Sequence, residues 1–138
     1  MAIEYRHDID GIHPEQLEGF FVGWPNPPSP TNHLRLLQGS DAIVVACDVD
    51  QIVGFVTAIT DGVLAAYIPL LEVLPSHQGR GIASALIARL LDAIGDLYMV
   101  DTACDDDLVP FYERFNMQRG NAMVRRSYAS QSGRPKPP

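Results

Sequence analysis

Basic side chains are scarce in this sequence: ten Lys and Arg stand against seventeen Asp and Glu, for a net charge of −7. Long-range attraction therefore favours cations over nucleic acid or anionic lipid, and an anionic ligand has to be held by local groups. Cysteine is scarcer still. Cys47 and Cys104 lie far apart within apolar runs, which suits two small core residues in a reduced interior better than a disulfide framework or a zinc site. His7, His13 and His33 show no metal-ligand spacing among themselves, so no metal site is expected. No apolar run approaches the length of a membrane span, and the first residues lack the charged-then-apolar pattern of an export signal, so the expected location is cytoplasmic. At 138 residues the chain suffices for one domain and one core without disulfide or metal support.

What is present is organised around the stretch from Leu71 to Leu91. An apolar, strand-like run ends at Val73, crosses Pro75, turns through Gln78, Gly79, Arg80 and Gly81, and opens a helix at about Ile82. Two glycines in a short turn allow backbone angles and close approaches that a side chain forbids, so several N–H groups can point at one anion. The first helical turn, Ile82, Ala83 and Ser84, adds unpaired N–H groups and the positive end of the helix dipole. A phosphorylated ligand is the expected guest. Arg80 can reach a phosphate or simply face solvent, and His77 reads as a solvated loop residue.

Around this core the periodicities predict a short strand over Ile3–Arg6, a helix after Pro14 through Leu17, Phe20 and Phe21, and a stiff proline loop from Trp24 to Pro30. A second helix carries Leu34, Leu36 and Leu37, capped by Ser29 or Thr31. A hairpin pairs Ala42–Cys47 with Ile52–Thr60, and Asp61-Gly62 turns into a third antiparallel strand, Val63–Val73. Pro69 cannot donate to a central ladder, so an irregularity is expected there. The helix from Ile82 has an apolar stripe of Ile82, Leu86, Leu90 and Ile94, leaves Arg89 and Asp92 outward at pairing distance, and stops at Gly95. The strand Leu97–Ala103 should lie parallel to the one ending at Val73. Asp105 to Asp107 supply an N-cap for a last helix with Leu108, Phe111, Tyr112 and Phe115. Met117–Gly120 and Met123–Tyr128 read as closing strands, giving a domain over 1–128 and a flexible polar tail over 129–138.

QGRGIA, with Gln78, Gly81 and Ala83 at the defining positions, resembles the Q/R-x-x-G-x-G/A signature of the GCN5-related N-acetyltransferases (GNAT), and the likeness extends over roughly Asp41 to Tyr128. It implies an α/β fold with a mixed, mostly antiparallel sheet flanked by helices and a central β-α-β unit that binds acyl-CoA. It implies acetyl-CoA as cosubstrate, its pyrophosphate on Gln78 to Ser84 and its pantetheine arm along the exposed backbone of Leu71 to Val73. DLVPFYERFNM is similar to the family's closing motif, with Tyr112 at the tyrosine that protonates the departing thiolate, although Phe115, Asn116 and Met117 replace its leucine-glycine-phenylalanine turn. The function implied is acetyl transfer to a primary amine by direct attack in a ternary complex.

The residues themselves leave several points open. Amide formation needs a base, and Glu72 is the carboxylate on the strand beside the cleft, with Tyr67 a second candidate and a structural role for Glu72 an equal alternative. Tyr112 also fits a core position. Cys104 is read as core. A small cationic amine suits the acidic balance and a compact wall at Trp24–Pro30, and a homodimer is compatible with the chain. Two rival functions stand: a non-catalytic acyl-CoA-binding or protein-interaction module on the same fold, and a dinucleotide-binding protein, because Gly79, Gly81 and Ser84 approximate G-x-G-x-x-G with Asp101 at the end of the next strand.

Overall fold

A computed structural model describes residues 2–137; Met1 and Pro138, the outer ends of the expected domain and tail, lie outside the described residues. A six-stranded, mostly antiparallel sheet forms around a single core. Its spine is the valine- and isoleucine-rich pair β2 (Ala42–Asp48) and β3 (Gln51–Thr60), joined by a tight turn with Val49 at φ 56°. β1 (Glu4–Arg6) pairs with the outer edge of β2.

The predicted third strand is in fact two. β4 (Ala65–Tyr67) pairs with the end of β3 at Ile59 and Thr60, whereas β5 (Leu71–Val73) pairs with its start at Gly54 to Val56. Pro69, which has no N–H to offer, stands between them. The turn before β4 is held by Asp61, whose Oδ1 accepts from the N–H groups of Val63, Leu64 and Ala65. These bonds hold its carboxyl below the ordinary carboxylate range.

α2 (Ile82–Ile94) crosses one face of the sheet and buries Ile82, Leu86, Ile87 and Leu90 there. It ends where Gly95, at φ 78°, returns its N–H to Leu91. Gly54 makes the crossing possible: a Cβ on it would sit 3.2 Å from both Ile82 Cγ2 and Leu86 Cδ1. The other face is covered by a 3-10 turn (Pro14–Leu17) and by α1 (Pro30–Gly39), whose first turn is capped by Ser29 Oγ accepting from Asn32 N–H at 3.1 Å. β6 (Met99–Asp101) is parallel to β4, not to β5, so the edge of β5 away from β3 has no strand partner among the described residues. α3 (Val109–Glu113) follows, with Pro110 in its first turn.

Four further expectations fail. No helix runs through Phe20 and Phe21; Phe21 takes φ 62°, which breaks the helical path. Met117–Gly120 and Met123–Tyr128 form no strands, because no neighbouring strand pairs with them. The tail beyond Tyr128 is tied down: Tyr128–Ser130 make a 3-10 turn, and Asn26 donates through its N–H to Gln131 Oε1 (2.7 Å) and through Nδ2 to Tyr128 O (3.0 Å). Arg89 rests on the Tyr5 ring, 4.4 Å from its centroid, and makes no ion pair with Asp92. Among the described residues no helix is long and apolar enough to cross a membrane.

Candidate functional site

The division of β4 from β5 opens the sheet, and the site is built around that opening. Thr57 N–H donates to Leu70 O (3.0 Å) and Leu74 N–H to Val53 O (2.8 Å). Antiparallel alternation between these bonds makes Glu72 and Phe55 the exchanging pair, so the N–H and C=O groups of Leu71 and Val73 point away from β3 into the cleft. Gln78 Nε2 donates to Val73 O at 3.1 Å, which fixes the glycine loop against the strand. The Leu71 groups and the Val73 N–H stay free for a ligand.

The loop itself has the shape the sequence calls for. Gly79 and Gly81 both lie at φ 78°, in the left-handed region that L side chains disfavour. Gly81 is the N-cap of α2 and offers no side chain, so the N–H groups of Ile82, Ala83 and Ser84 remain open above it. Arg80 is exposed and makes no hydrogen bond or ion pair among the described residues. His77 is not solvated as expected: Nε2 meets Asp48 Oδ2 at 2.8 Å and Nδ1 meets Ser76 Oγ at 2.7 Å, pinning the loop to the end of β2.

At the carboxyl end of β6 lies a cavity of about 460 Å³ lined by Thr102, Cys104, Val109 and Tyr112. Tyr112 is buried, 7% exposed. Burial holds its phenol above the ordinary value, opposed by the Thr102 hydroxyl and reinforced by Cys104, so the proton stays on oxygen. Thr102 Oγ1 donates to Ile68 O at 2.7 Å, bridging β6 to the end of β4 where the sheet opens. Cys104, expected in the core, is exposed beside this cavity; Cys47 is the buried one. Asn116 at φ 63° ends the turn after α3, preserving the left-handed step although glycine is absent.

Glu72 faces away from α2, toward Phe21 and Phe55. Its Oε1 accepts from Phe21 N–H (2.8 Å) and its Oε2 from Val22 N–H (3.3 Å). The carboxylate thus stabilises the strained Phe21 turn, and Trp24 packs on the Phe21 ring at 4.8 Å. Tyr67 is 40% exposed on β4, beside Asp101 of β6.

Two residues of this region carry no readable sequence signal. Arg114 Nη2 donates to Ser84 Oγ at 2.6 Å, bringing a cation to the first turn of α2 from thirty residues away. His33 is caged edge-on by Phe20, Phe21 and Phe55, with neither ring nitrogen hydrogen-bonded. Burial pushes its imidazole down from 6.5 to about 4. The unfolded chain takes up this proton near 6.5 and the folded chain only near 4, so the contribution is complete above 6.5 and is lost as pH falls between the two values. A loss of about 3 kcal/mol is expected over that window. Urea midpoints at about pH 7.5 and about pH 4 should differ less in His33→Phe than in the parent.

Among the described residues no three His, Cys, Asp or Glu side chains gather to hold a metal. Five strands, antiparallel to one another wherever they pair, precede the glycine loop and β5 has no parallel neighbour among the described residues, so the sheet is not the doubly wound one a dinucleotide fingerprint requires.

The acetyltransferase (GNAT) family model matches residues 9–117. A search of curated proteins finds no match. Among solved structures, a candidate acetyltransferase from Deinococcus radiodurans R1 is 50% identical with a TM-score of 0.95, covering 97% of this chain and 94% of its own. A GNAT-family acetyltransferase from Streptococcus pneumoniae TIGR4 is 26% identical with a TM-score of 0.72, over 91% of this chain and all of its own. Glucosamine-6-phosphate N-acetyltransferase from Arabidopsis thaliana shares the fold at 13% identity, with a TM-score of 0.68 over 92% of this chain and 99% of its own.

Proposed function

The chain belongs to the GNAT acetyltransferase family, and from that premise we propose that it is an enzyme that transfers an acetyl group from acetyl-CoA to a primary amine by direct attack in a ternary complex. The observation that carries this reading is the opening between β5 and β6, with free strand backbone on one side, the open α2 N-terminus at one end and a protonated Tyr112 at the other. Acetyl-CoA supplies the activated thioester. Gly79, Gly81 and the N–H groups of Ile82 to Ser84 hold its pyrophosphate without any Cβ in the way, and Arg80 and Arg114 add positive charge.

The remaining groups divide the chemistry. The acceptor nitrogen must reach the acyl carbon neutral; Glu72 takes its proton directly or through a water. The N–H of Leu71 or Val73 donates to the oxygen that gains charge as the new C–N bond forms. Tyr112 gives its proton to sulfur as the C–S bond breaks. The acceptor is a small cationic amine, drawn by the acidic balance and seated against the wall of Phe21, Trp24 and the proline loop. The two free cysteines suit a cytoplasmic setting.

Thiol release from acetyl-CoA over a panel of amines tests the reading. Turnover should rise with pH as free amine accumulates and should be fastest with compact cationic acceptors; a parent that binds acetyl-CoA but releases no thiol with any acceptor would instead favour the non-catalytic binding module. Glu72→Gln keeps an oxygen for the Phe21 N–H but removes the base. If Glu72 accepts the proton, kcat should fall by about 10²-fold or more with Tm held; near-parental kcat would reduce Glu72 to an anchor of the Phe21 turn.

A further inference from the structure

We propose that His33 is the floor of a polar subsite for the acceptor, one that takes a neutral hydrogen-bonding group, a hydroxyl or a carboxamide, carried on the same molecule as the amine. His33 is 1% exposed, and neither ring nitrogen has a hydrogen-bond partner among the described residues. A buried polar group left unpaired is costly, and its retention beneath a binding wall is explained by a partner that arrives with a ligand. Thr57 repeats the observation: it lies on the same face of β3 as Phe55, two residues along, and its buried hydroxyl has no partner among the described residues either. Burial pushes the His33 ring down to about 4, so it is neutral wherever an amine acceptor reacts. A neutral imidazole offers one N–H donor and one bare nitrogen acceptor, which matches a group that both donates and accepts rather than a second charge.

The cover over this ring is removable. Phe20, Phe21 and Phe55 cage His33, and of these Phe21 lies in the turn between the 3-10 helix and α1, outside any helix or strand. Its φ of 62° is unfavourable for a phenylalanine, and Gly19 and Gly23, at 92° and 82°, bound the turn on either side. Glu72 holds the turn in place, through the N–H groups of Phe21 and Val22 at 2.8 and 3.3 Å. That carboxylate is also the group an acceptor ammonium seeks. An ammonium that takes Glu72 releases those two N–H groups, and the Phe21 ring, 4.9 Å from His33 between centroids, is then free to leave it.

The two polar points suit one compact molecule. Glu72 opposes Phe55 across the ladder of β3 and β5, and the His33 ring lies on Phe55 at 4.3 Å between centroids. Directly opposed residues share a face of the sheet, so an amine at Glu72 and a hydroxyl at His33 flank the same phenylalanine ring. The subsite therefore selects among small cationic amines. It favours one with a hydroxyl or carboxamide a few bonds from the nitrogen over a plain alkylamine of the same length.

This subsite rests on the proposed role of Glu72 and on an amine acceptor, and a binding measurement beside a turnover measurement separates their failures. Short linear alkylamines and amino alcohols, matched by heavy-atom count, are titrated into the parent without acetyl-CoA. The imidazole nitrogens of His33 are followed by NMR, together with the fluorescence of Trp24, the sole tryptophan, which packs on Phe21 at 4.8 Å. Both series should change the Trp24 emission as the turn opens, and the amino alcohols alone should give a hydrogen-bond shift at a His33 nitrogen. In thiol release the best amino alcohol should exceed its matched alkylamine in kcat/KM by about 10-fold. His33→Phe should erase that preference while acetyl-CoA affinity stays parental. His33 resonances that treat the two series alike overturn the subsite; where thiol is released, so does a parent without the preference or a preference that survives His33→Phe. A selective His33 shift with no thiol release from any amine would keep the subsite and sink the catalytic reading instead.

Discussion

Tyr112→Phe is expected to lower kcat by about 10²- to 10⁴-fold while acetyl-CoA affinity and Tm stay near parental. The substitution keeps the ring that packs between Phe111 and the cavity wall, 5.0 Å from the Phe111 centroid, and removes only the hydroxyl. That hydroxyl is buried and held protonated, the state a donor to a departing thiolate needs. Its surroundings separate a catalytic from a structural role. If the ring alone matters, phenylalanine should turn over like the parent, and Tyr112→Ala should show the effect instead as a stability loss of about 3 to 5 kcal/mol. Single-turnover thiol release at saturating substrate distinguishes the two, and near-parental kcat in the phenylalanine variant would remove Tyr112 from the chemistry.

Gly81→Val should abolish acetyl-CoA binding and leave the circular dichroism spectrum native. Nothing lies within 4 Å of a Cβ at Gly81, so crowding by the fold is not the cause. The cause is the backbone. At φ 78° a β-branched residue is strained by about 1 to 2 kcal/mol, and relieving the strain rotates the peptide that aims the first N–H groups of α2. Any side chain there also fills the space the anion must enter. Gly95 provides the control, because it has the same φ of 78° at the other end of the same helix. Gly95→Val, at ψ −168° where Gly81 has 10°, should cost at least as much stability and keep the affinity. Calorimetric titration of both variants checks the pair, and unchanged acetyl-CoA affinity in Gly81→Val would move the binding site away from this loop.

The outcome at these two positions reflects how far each was legible beforehand. Gly81 is a local matter: strand, glycine turn and helix start follow one another within a dozen residues, and the turn geometry is dictated by the residues that form it. Tyr112 is only half local. Its helical spacing places it on an apolar stripe, but the cavity beside it depends on Thr102, Cys104 and residues 117–122 arriving from separate segments. Glu72 shows the same limit. Alternation along a strand does not say which face is which, and only the packing of α2 against Gly54 turns Glu72 toward the Phe21 loop.

By itself the sequence determined the hairpin of β2 and β3, the glycine loop, the extent and buried stripe of α2, a cap for α1 at Ser29 or Thr31 and the break near Pro69, because each rests on interactions between residues close in the chain. Tertiary structure decided the rest. It split the third strand so that β4 and β5 share one flank of β3, and it paired β6 with the half farther from the loop. It bent Phe21 out of its helix onto a carboxylate fifty-one residues away, tied His77 to Asp48, and brought Arg114 to Ser84. It also left the segment after Met117 without a strand partner, although its composition favours a strand. These are long-range outcomes: a side chain or a strand edge takes the partner that the folded surface presents, and no periodicity in the chain records which partner that is.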